Sequence, residues 1–523
     1  MHTKIEGAVA DRPSPATTHP KNFSGRHIHM IGIGGCGMSG AAALLRDLGA
    51  VVSGSDLAAF DELGPLVQSG VRVAIGHHET QLSTHVELVV VSAAVPDTNP
   101  ELTAARRRGL PVVKYAQLLG ELTTIRTAVA IAGTHGKSTT TGMCVHLFRE
   151  AGLSPSFIIG ARSAQLGGSS GVGGGPHFIV ESCEFDRSFL YLQPHLAAIL
   201  NIESDHLDCY RDLDDIVDAF SRFAENVAPD GVLLCNAEDR RAVRANPPSA
   251  DECWTETMPL AAASAARCPV ETFGFSDGAD WQACNLRIDR GRYGFDVYLR
   301  GARLFSTGLS IPGRHNVANA LAAIALAYHA GAEPERIAEA LFTLSGVDRR
   351  LSSRAEGRGV TIVDDYAHHP TEIRVTIEAA RDRYRPRRLW VVFQPHQDSR
   401  TRHFMDQFAK SFGQADEVIV PEVYRARDSG DPLGQAGSAE LALRIRRAGG
   451  RAHYIPTLAG VVDHLMPQLA EGDLVLTMGA GDVWKIADEL VERLCGSDRV
   501  RCSTGAKDVV SPGWTCPVFV PAA

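Results

Sequence analysis

"VAIAGTHGKSTTT", residues 129–141, runs from an apolar stretch into a helix-like one through two glycines, a lysine and a serine. A strand that turns directly into a helix leaves the helix's first N–H groups unpaired, and the helix dipole adds positive potential there. Such a turn cradles phosphate. Lys137 is placed for the β- and γ-phosphates and Ser138 for Mg²⁺, so Gly133, Thr134, His135, Gly136, Lys137, Ser138 and Thr139 read as an ATP loop. The usual spacing is G-x-x-x-x-G-K-[ST]. Here Ile131 stands where the first glycine would be and the glycine is at 133, so the loop is shorter. The helix after it is expected from Ser138 to near Gly152, with Met143, Leu147, Phe148 and Ala151 on one face.

A second cradle lies about a hundred residues upstream. "GIGGCG", 32–37, follows the apolar run 27–31 and fits G-x-G-x-x-G, and Asp56 stands where a ribose-binding acid would stand. Gly32, Gly34, Gly35 and Gly37 suit any pyrophosphate. A dehydrogenase reading leaves the loop at 133–138 unexplained.

Strand and helix signals alternate through most of the chain, which predicts an α/β protein of three domains. The expected units are a Rossmann-like domain over 23–124, a central P-loop domain with a mainly parallel sheet over 125–345, and a Rossmann-like C-terminal domain over 346–494. Residues 1–22 read as a disordered arm and 495–523 as an unpacked tail. "LGGSSGVGGGP", 166–176, reads as a flexible glycine loop.

Composition sets outer limits. The 523 residues are 44% hydrophobic and 22% charged, so each unit can bury a core. A net charge of -9 argues against a protein that holds nucleic acid by bulk charge. No apolar run reaches membrane-spanning length, and the first residues lack the apolar core of a secretory signal. Eleven cysteines without C-x-x-C or zinc spacing read as reduced thiols of a cytoplasmic protein.

Acids cluster after two later strand-like runs. Glu181, Glu184 and Asp186 follow "HFIV", and Asp205, His206 and Asp208 follow "LAAIL". In a parallel sheet the carboxyl ends of strands share one edge, so both clusters fall beside the phosphate loop, where carboxylates and a neutral imidazole can serve Mg²⁺. Asp186 and Asp208 are more readily explained as helix caps.

These motifs together resemble the Mur ligases of bacterial cell-wall synthesis. The likeness covers roughly 25–490 and includes G-I-G-G-x-G-M-S-G at 32–40, G-R-H-N-x-x-N at 313–319, D-D-Y-A-H-H-P-T-E at 364–372, F-Q-P-H-x-x-S-R-T at 393–401 and G-A-G-D at 479–482. The resemblance implies that the first cradle holds the UDP part of a substrate, with Gly32, Gly34, Gly35, Gly37 and Asp56, and that the second holds ATP. It implies ATP-dependent ligation of L-alanine to the lactoyl carboxylate of UDP-N-acetylmuramate through an acyl phosphate. Ligation of a recycled murein peptide, or a changed amino-acid preference, is the alternative.

The resemblance also implies roles. Lys137, His206 and Arg350 are the catalytic set, Ser138, Glu181 and His206 the metal ligands, and His315, Asn316 and Asn319 the adenine side. Tyr366, His368, His396 and Arg400 fall on the amino-acid side. One departure stands out. Where the family usually shows a basic residue and then an aromatic, this chain has Gln397 and Asp398, so either Arg400 holds the amino acid's carboxylate alone or the preference has drifted. Asp398 would compete for any cation placed at 397.

Overall fold

The computed structural model describes residues 23–60, 62–206, 209–238, 258–425 and 437–495. The arm 1–22, Asp208 and nearly all of the tail lie outside the described residues.

The first sheet is all parallel, in the order β3-β2-β1-β4-β5, with β1 His27–Ile31, β2 Val51–Asp56, β3 Arg72–Ile75, β4 Leu88–Val91 and β5 Val112–Lys114. Strand order reverses beside β1, which opens a crevice at its carboxyl end. The glycines at 32–35 lie there, ahead of the helix Cys36–Asp47.

The central sheet has ten strands in the order β15-β14-β13-β12-β11-β10-β6-β9-β7-β8. They are β6 Thr127–Ala132, β7 Ser156–Ser163, β8 Gly168–Gly171, β9 His177–Ser182, β10 Leu196–Ile199, β11 Val232–Asn236, β12 Val270–Gly274, β13 Trp281–Asp289, β14 Arg292–Leu299 and β15 Ala302–Leu309. From β13 to β7 the neighbours are parallel, and antiparallel strands finish both edges. From Ala320 to Ala327 the helix Arg314–His329 is apolar all round because it is enclosed there; Val317 and Ala320–Ala327 are buried, while its first turns carry Arg314, His315, Asn316 and Asn319.

The third sheet runs β16-β17-β21-β18-β19-β20, with β16 Ser352–Gly357, β17 Val360–Asp365, β18 Arg388–Phe393, β19 Glu417–Val420, β20 Ala452–Tyr454 and β21 Asp473–Met478. All its pairs are parallel except β16 with β17.

The stretch 166–176 departs from the expected loop. Gly168–Gly171 is an edge strand paired with β7, and Arg126 Nη1 donates to the Gly173 and Gly175 carbonyls at 2.8 Å. Its glycines serve close approach: a Cβ at Gly175 would lie 2.0 Å from the Leu153 carbonyl. The first domain's helix packs on this edge, and a Cβ at Gly40 would lie 2.6 Å from Ser170. One apolar cluster continues from Ile28 and Val52 through Leu118 to Phe189 and Phe220, so the first two domains share a core.

Candidate active site

The central site starts where β6 ends. Gly133 (φ 146°) and Gly136 (φ 81°) take left-handed backbone that a side chain would strain. The chain leaving β10 fixes the loop: Asn201 Oδ1 accepts from His135 N at 2.7 Å and Asn201 O from Thr134 N at 3.0 Å. The helix then begins at Lys137, with Ser138 and Thr139 in its first turn. Lys137 Nζ donates to the Gly133 and Thr134 carbonyls at 2.5 and 2.9 Å and contacts both Glu184 carboxylate oxygens, at 3.0 and 2.8 Å. Burial disfavours that ammonium, but Glu184 outweighs burial and raises its pKa.

Ser138 Oγ donates to Glu181 Oε1 at 3.1 Å, and Gly160 N donates to Glu181 Oε2 at 2.7 Å. His206, at φ 52°, faces Glu184 Oε1 at 3.6 Å and Asp205 Oδ2 at 3.9 Å. The structure thus joins Ser138 to Glu181 and sets His206 against Glu184, which also clamps the lysine. Asp186 caps no helix; it pairs with Lys114 of the first domain at 3.0 Å. Asn201 and Glu203 are not among the residues the sequence singles out, and Glu184 reads there only as one of the acids beside the loop.

A cavity of about 600 Å³ opens between the central and C-terminal domains. His135, Gly136, Thr139, His315, Asn316, Asn319 and Arg350 all line it, with Phe273, Phe275 and Tyr293. Asn319 Nδ2 donates to Asn316 Oδ1 at 3.1 Å, and its side chain closes on Gly136, so it joins the adenine-side helix to the loop. Burial, then the Arg350 charge, pushes the His315 pKa down to about 4. Arg350 lies over the Tyr366 ring at 5.3 Å and 3.6 Å from Glu372. Its neighbour Arg349 pairs with buried Asp364 at 3.0 Å and is no solvated surface charge.

Sequence reasoning missed a buried group on the cavity wall. His135 lies 3.2 Å from Glu372 Oε1 and 3.6 Å from Glu203 Oε2, and its ring packs on His369 at 4.6 Å. Burial would lower the His135 pKa; the two carboxylates overcome it and raise it to about 10. Glu203 belongs to the central domain and Glu372 to the C-terminal one, so this imidazolium ties them. His, Glu and Glu are spread over 237 residues, and only folding assembles them.

On the amino-acid side, Tyr366 and His368 rings meet at 5.3 Å, His368 and His396 at 6.2 Å, and His396 lies along Tyr424 at 5.8 Å. Arg400 Nη2 and Nε donate to Asp205 Oδ1 at 2.6 and 3.1 Å. Gln397, at φ 66°, donates its N–H to Tyr424 O at 3.0 Å. Asp398 is buried and accepts from Arg425 Nε at 2.8 Å. The expectation that Asp398 would compete for a cation at 397 is therefore corrected: it already holds one.

In the first domain, Gly32 (φ 80°) starts the cradle, and a Cβ at Gly37 would lie 2.5 Å from the Tyr115 hydroxyl. A Cβ at Gly35 would meet nothing nearer than 3.8 Å, so the space beside it is open to a ligand. Asp56, expected at a ribose, turns inward and accepts from Gly34 N at 2.8 Å.

Two phosphate cradles on two α/β domains, with a third domain closing over the second cradle, define a nucleotide-dependent enzyme that works at a domain interface. The comparisons name its family. The chain matches the Mur ligase family catalytic domain over residues 27–126, the Mur ligase middle domain over 131–327 and the Mur ligase glutamate ligase domain over 349–481. It is 41% identical over 474 residues to the UDP-N-acetylmuramate–L-alanine ligase of Solibacter usitatus, covering 90% of this chain and 96% of that one. The solved UDP-N-acetylmuramate–alanine ligase of Thermotoga maritima superposes with a TM-score of 0.71 at 27% identity, covering 89% of this chain and 98% of that one. A murein peptide ligase of Psychrobacter arcticus superposes at 0.63 and 26%, covering 90% of this chain and 99% of that one. The chain belongs to the Mur ligase family and is an ATP-dependent, ADP-forming amide ligase.

Proposed function

We propose that the chain joins L-alanine to the lactoyl carboxylate of UDP-N-acetylmuramate, with ATP, as a step of peptidoglycan precursor synthesis in the cytoplasm. The observation that carries the reading is the convergence of Lys137, the Ser138–Glu181 pair and the C-terminal residues Arg350, His368 and Arg400 on the interface between central and C-terminal domains. The near full-length likeness to alanine ligases supports it.

A carboxylate is a poor acylating agent because its leaving group would be oxide. Transfer of the γ-phosphoryl to it gives an acyl phosphate with a good leaving group. The amine then attacks the acyl carbon and phosphate departs. Lys137 and the loop N–H groups orient the transferring phosphate and offset its charge, and Arg350 is set on the cavity wall to do the same from the other domain. The Ser138 hydroxyl and the Glu181 carboxylate are oxygen donors that suit a hard divalent cation, and with His206, the third ligand the family resemblance implies, they would hold Mg²⁺. When bound, that ion neutralises phosphate charge that would otherwise repel the incoming carboxylate. The first domain's cradle, Gly32 to Gly37, would hold the UDP diphosphate.

The test is phosphate release with UDP-N-acetylmuramate and ATP across a panel of L-alanine, glycine, L-serine and a murein tripeptide. Preference for L-alanine is expected. Preference for the tripeptide favours the recycling activity, and silence with all four sinks both.

A further inference from the structure

Asp205 is 7% exposed and Arg400 8%, and they come from different domains. One oxygen, Asp205 Oδ1, accepts three N–H groups: His206 N at 2.7 Å, Arg400 Nε at 3.1 Å and Arg400 Nη2 at 2.6 Å. The first of these holds His206 in left-handed backbone, which a histidine adopts only when its surroundings impose it. The other two occupy one whole edge of the guanidinium, a two-point contact that fixes its orientation as well as its distance. Removing either partner leaves a buried charge uncompensated.

We infer that Asp205 is a positioning residue. It sets the Arg400 guanidinium and the His206 imidazole from a single oxygen, so the amino-acid side of the C-terminal domain and the metal side of the central domain are built together, and only when the two domains meet. Arg400 is therefore not a free anchor for the amino acid's carboxylate; only its Nη1 and the second N–H of Nη2 are left for that group. This rests on the proposed ligation for its kinetic readout.

The experiment compares Asp205→Asn, Arg400→Gln, Arg400→Lys and the double change Asp205→Asn with Arg400→Gln in the full chain. Asparagine keeps an oxygen for His206 N but loses the charge. Asp205→Asn should raise the L-alanine KM at least tenfold and raise the Mg²⁺ concentration for half-maximal rate, with the UDP-N-acetylmuramate KM within twofold of the original. The double variant should be no worse than the worse single one, and Arg400→Lys should recover part of what Arg400→Gln loses. Effects that multiply, or an Asp205→Asn enzyme with unchanged L-alanine KM and Mg²⁺ requirement, overturn the inference. If Asp205→Asn fails to fold, the Arg400 pair carries the same two readouts. If the original chain releases no phosphate with L-alanine, the proposed function fails by itself. X-ray scattering with a non-hydrolysable ATP analogue then decides: compaction lost in either single variant, and no further in the double, supports the inference, and compaction retained overturns it.

Discussion

The Lys137 ammonium is held by the Glu184 carboxylate, 2.8 Å from Oε2 and 3.0 Å from Oε1, inside the loop meant for phosphate. Glu184 is 3% exposed and the lysine side chain 13%, so the pair is largely out of water. The carboxylate and the Gly133 and Thr134 carbonyls keep the ammonium aimed into the loop, where the proposed function has a phosphate take over its charge.

Lys137→Ala should therefore do two things. Turnover should fall below detection, because the transferring phosphate loses its cation. Stability should fall by about 3 kcal/mol, because Glu184 is left charged and unpaired. Glu184→Gln in the same background should restore part of that stability and none of the activity. Calorimetry should show UDP-N-acetylmuramate binding intact, since its cradle lies on another sheet. Near-original turnover in Lys137→Ala would sink the loop assignment.

Stability should decline on both sides of about pH 7. The His135 pKa is raised to about 10, so its contribution is complete below the unfolded value near 6.5 and is lost as pH rises through 10. Burial lowers His369 and His315 to about 4 and His368 to about 3; their neutral forms favour folding above 6.5, and that advantage is lost as pH falls toward those values. Urea midpoints from pH 4 to 10 should trace both limbs. His135→Gln should flatten the alkaline limb alone; an unchanged alkaline limb would refute the bridge between Glu203 and Glu372.

Gly34→Ala should weaken UDP-N-acetylmuramate binding at least about tenfold, or 1.4 kcal/mol, and leave ATP binding within twofold. A Cβ there would lie 2.6 Å from Phe60 and 2.8 Å from the Asp56 carboxylate, which together back the cradle. NADH should not bind, because the cradle at 32–37 is read as a pyrophosphate site for UDP and the chain carries a second nucleotide loop that a dehydrogenase would not need. Saturable NADH fluorescence that UDP-N-acetylmuramate fails to displace would contradict this.

Gln397→Arg should lower the L-alanine KM about fivefold with little change in kcat, a charged contact replacing a neutral one for about 1 kcal/mol. Adding Asp398→Tyr should erase the gain, because it removes the nearer of the two carboxylates that Arg425 contacts, at 2.8 Å. A double variant better than the single one would show that Asp398 still draws on residue 397. No change in either would show that 397 does not face the amino acid.

The sequence by itself determined the three α/β units, the two glycine turns between strand and helix, and the places of Lys137, Ser138 and Glu181 beside the second of them. These follow from local rules: a strand feeding a helix through glycines has one shape, and strand ends share an edge. It missed the order within 166–176, because glycine there serves backbone approach to Leu153 and Ser154, which composition does not distinguish from looseness. It did not show that Asp56 accepts from Gly34 N or that Asp398 holds Arg425, since spacing gives a residue's place but not its partner. Only the tertiary structure decided the bridges between domains: Glu203–His135–Glu372 and Asp205–Arg400. Their partners are 68 to 237 residues apart, with no periodicity to link them, and their charges are stable in a buried place only once packing brings each to its counterpart.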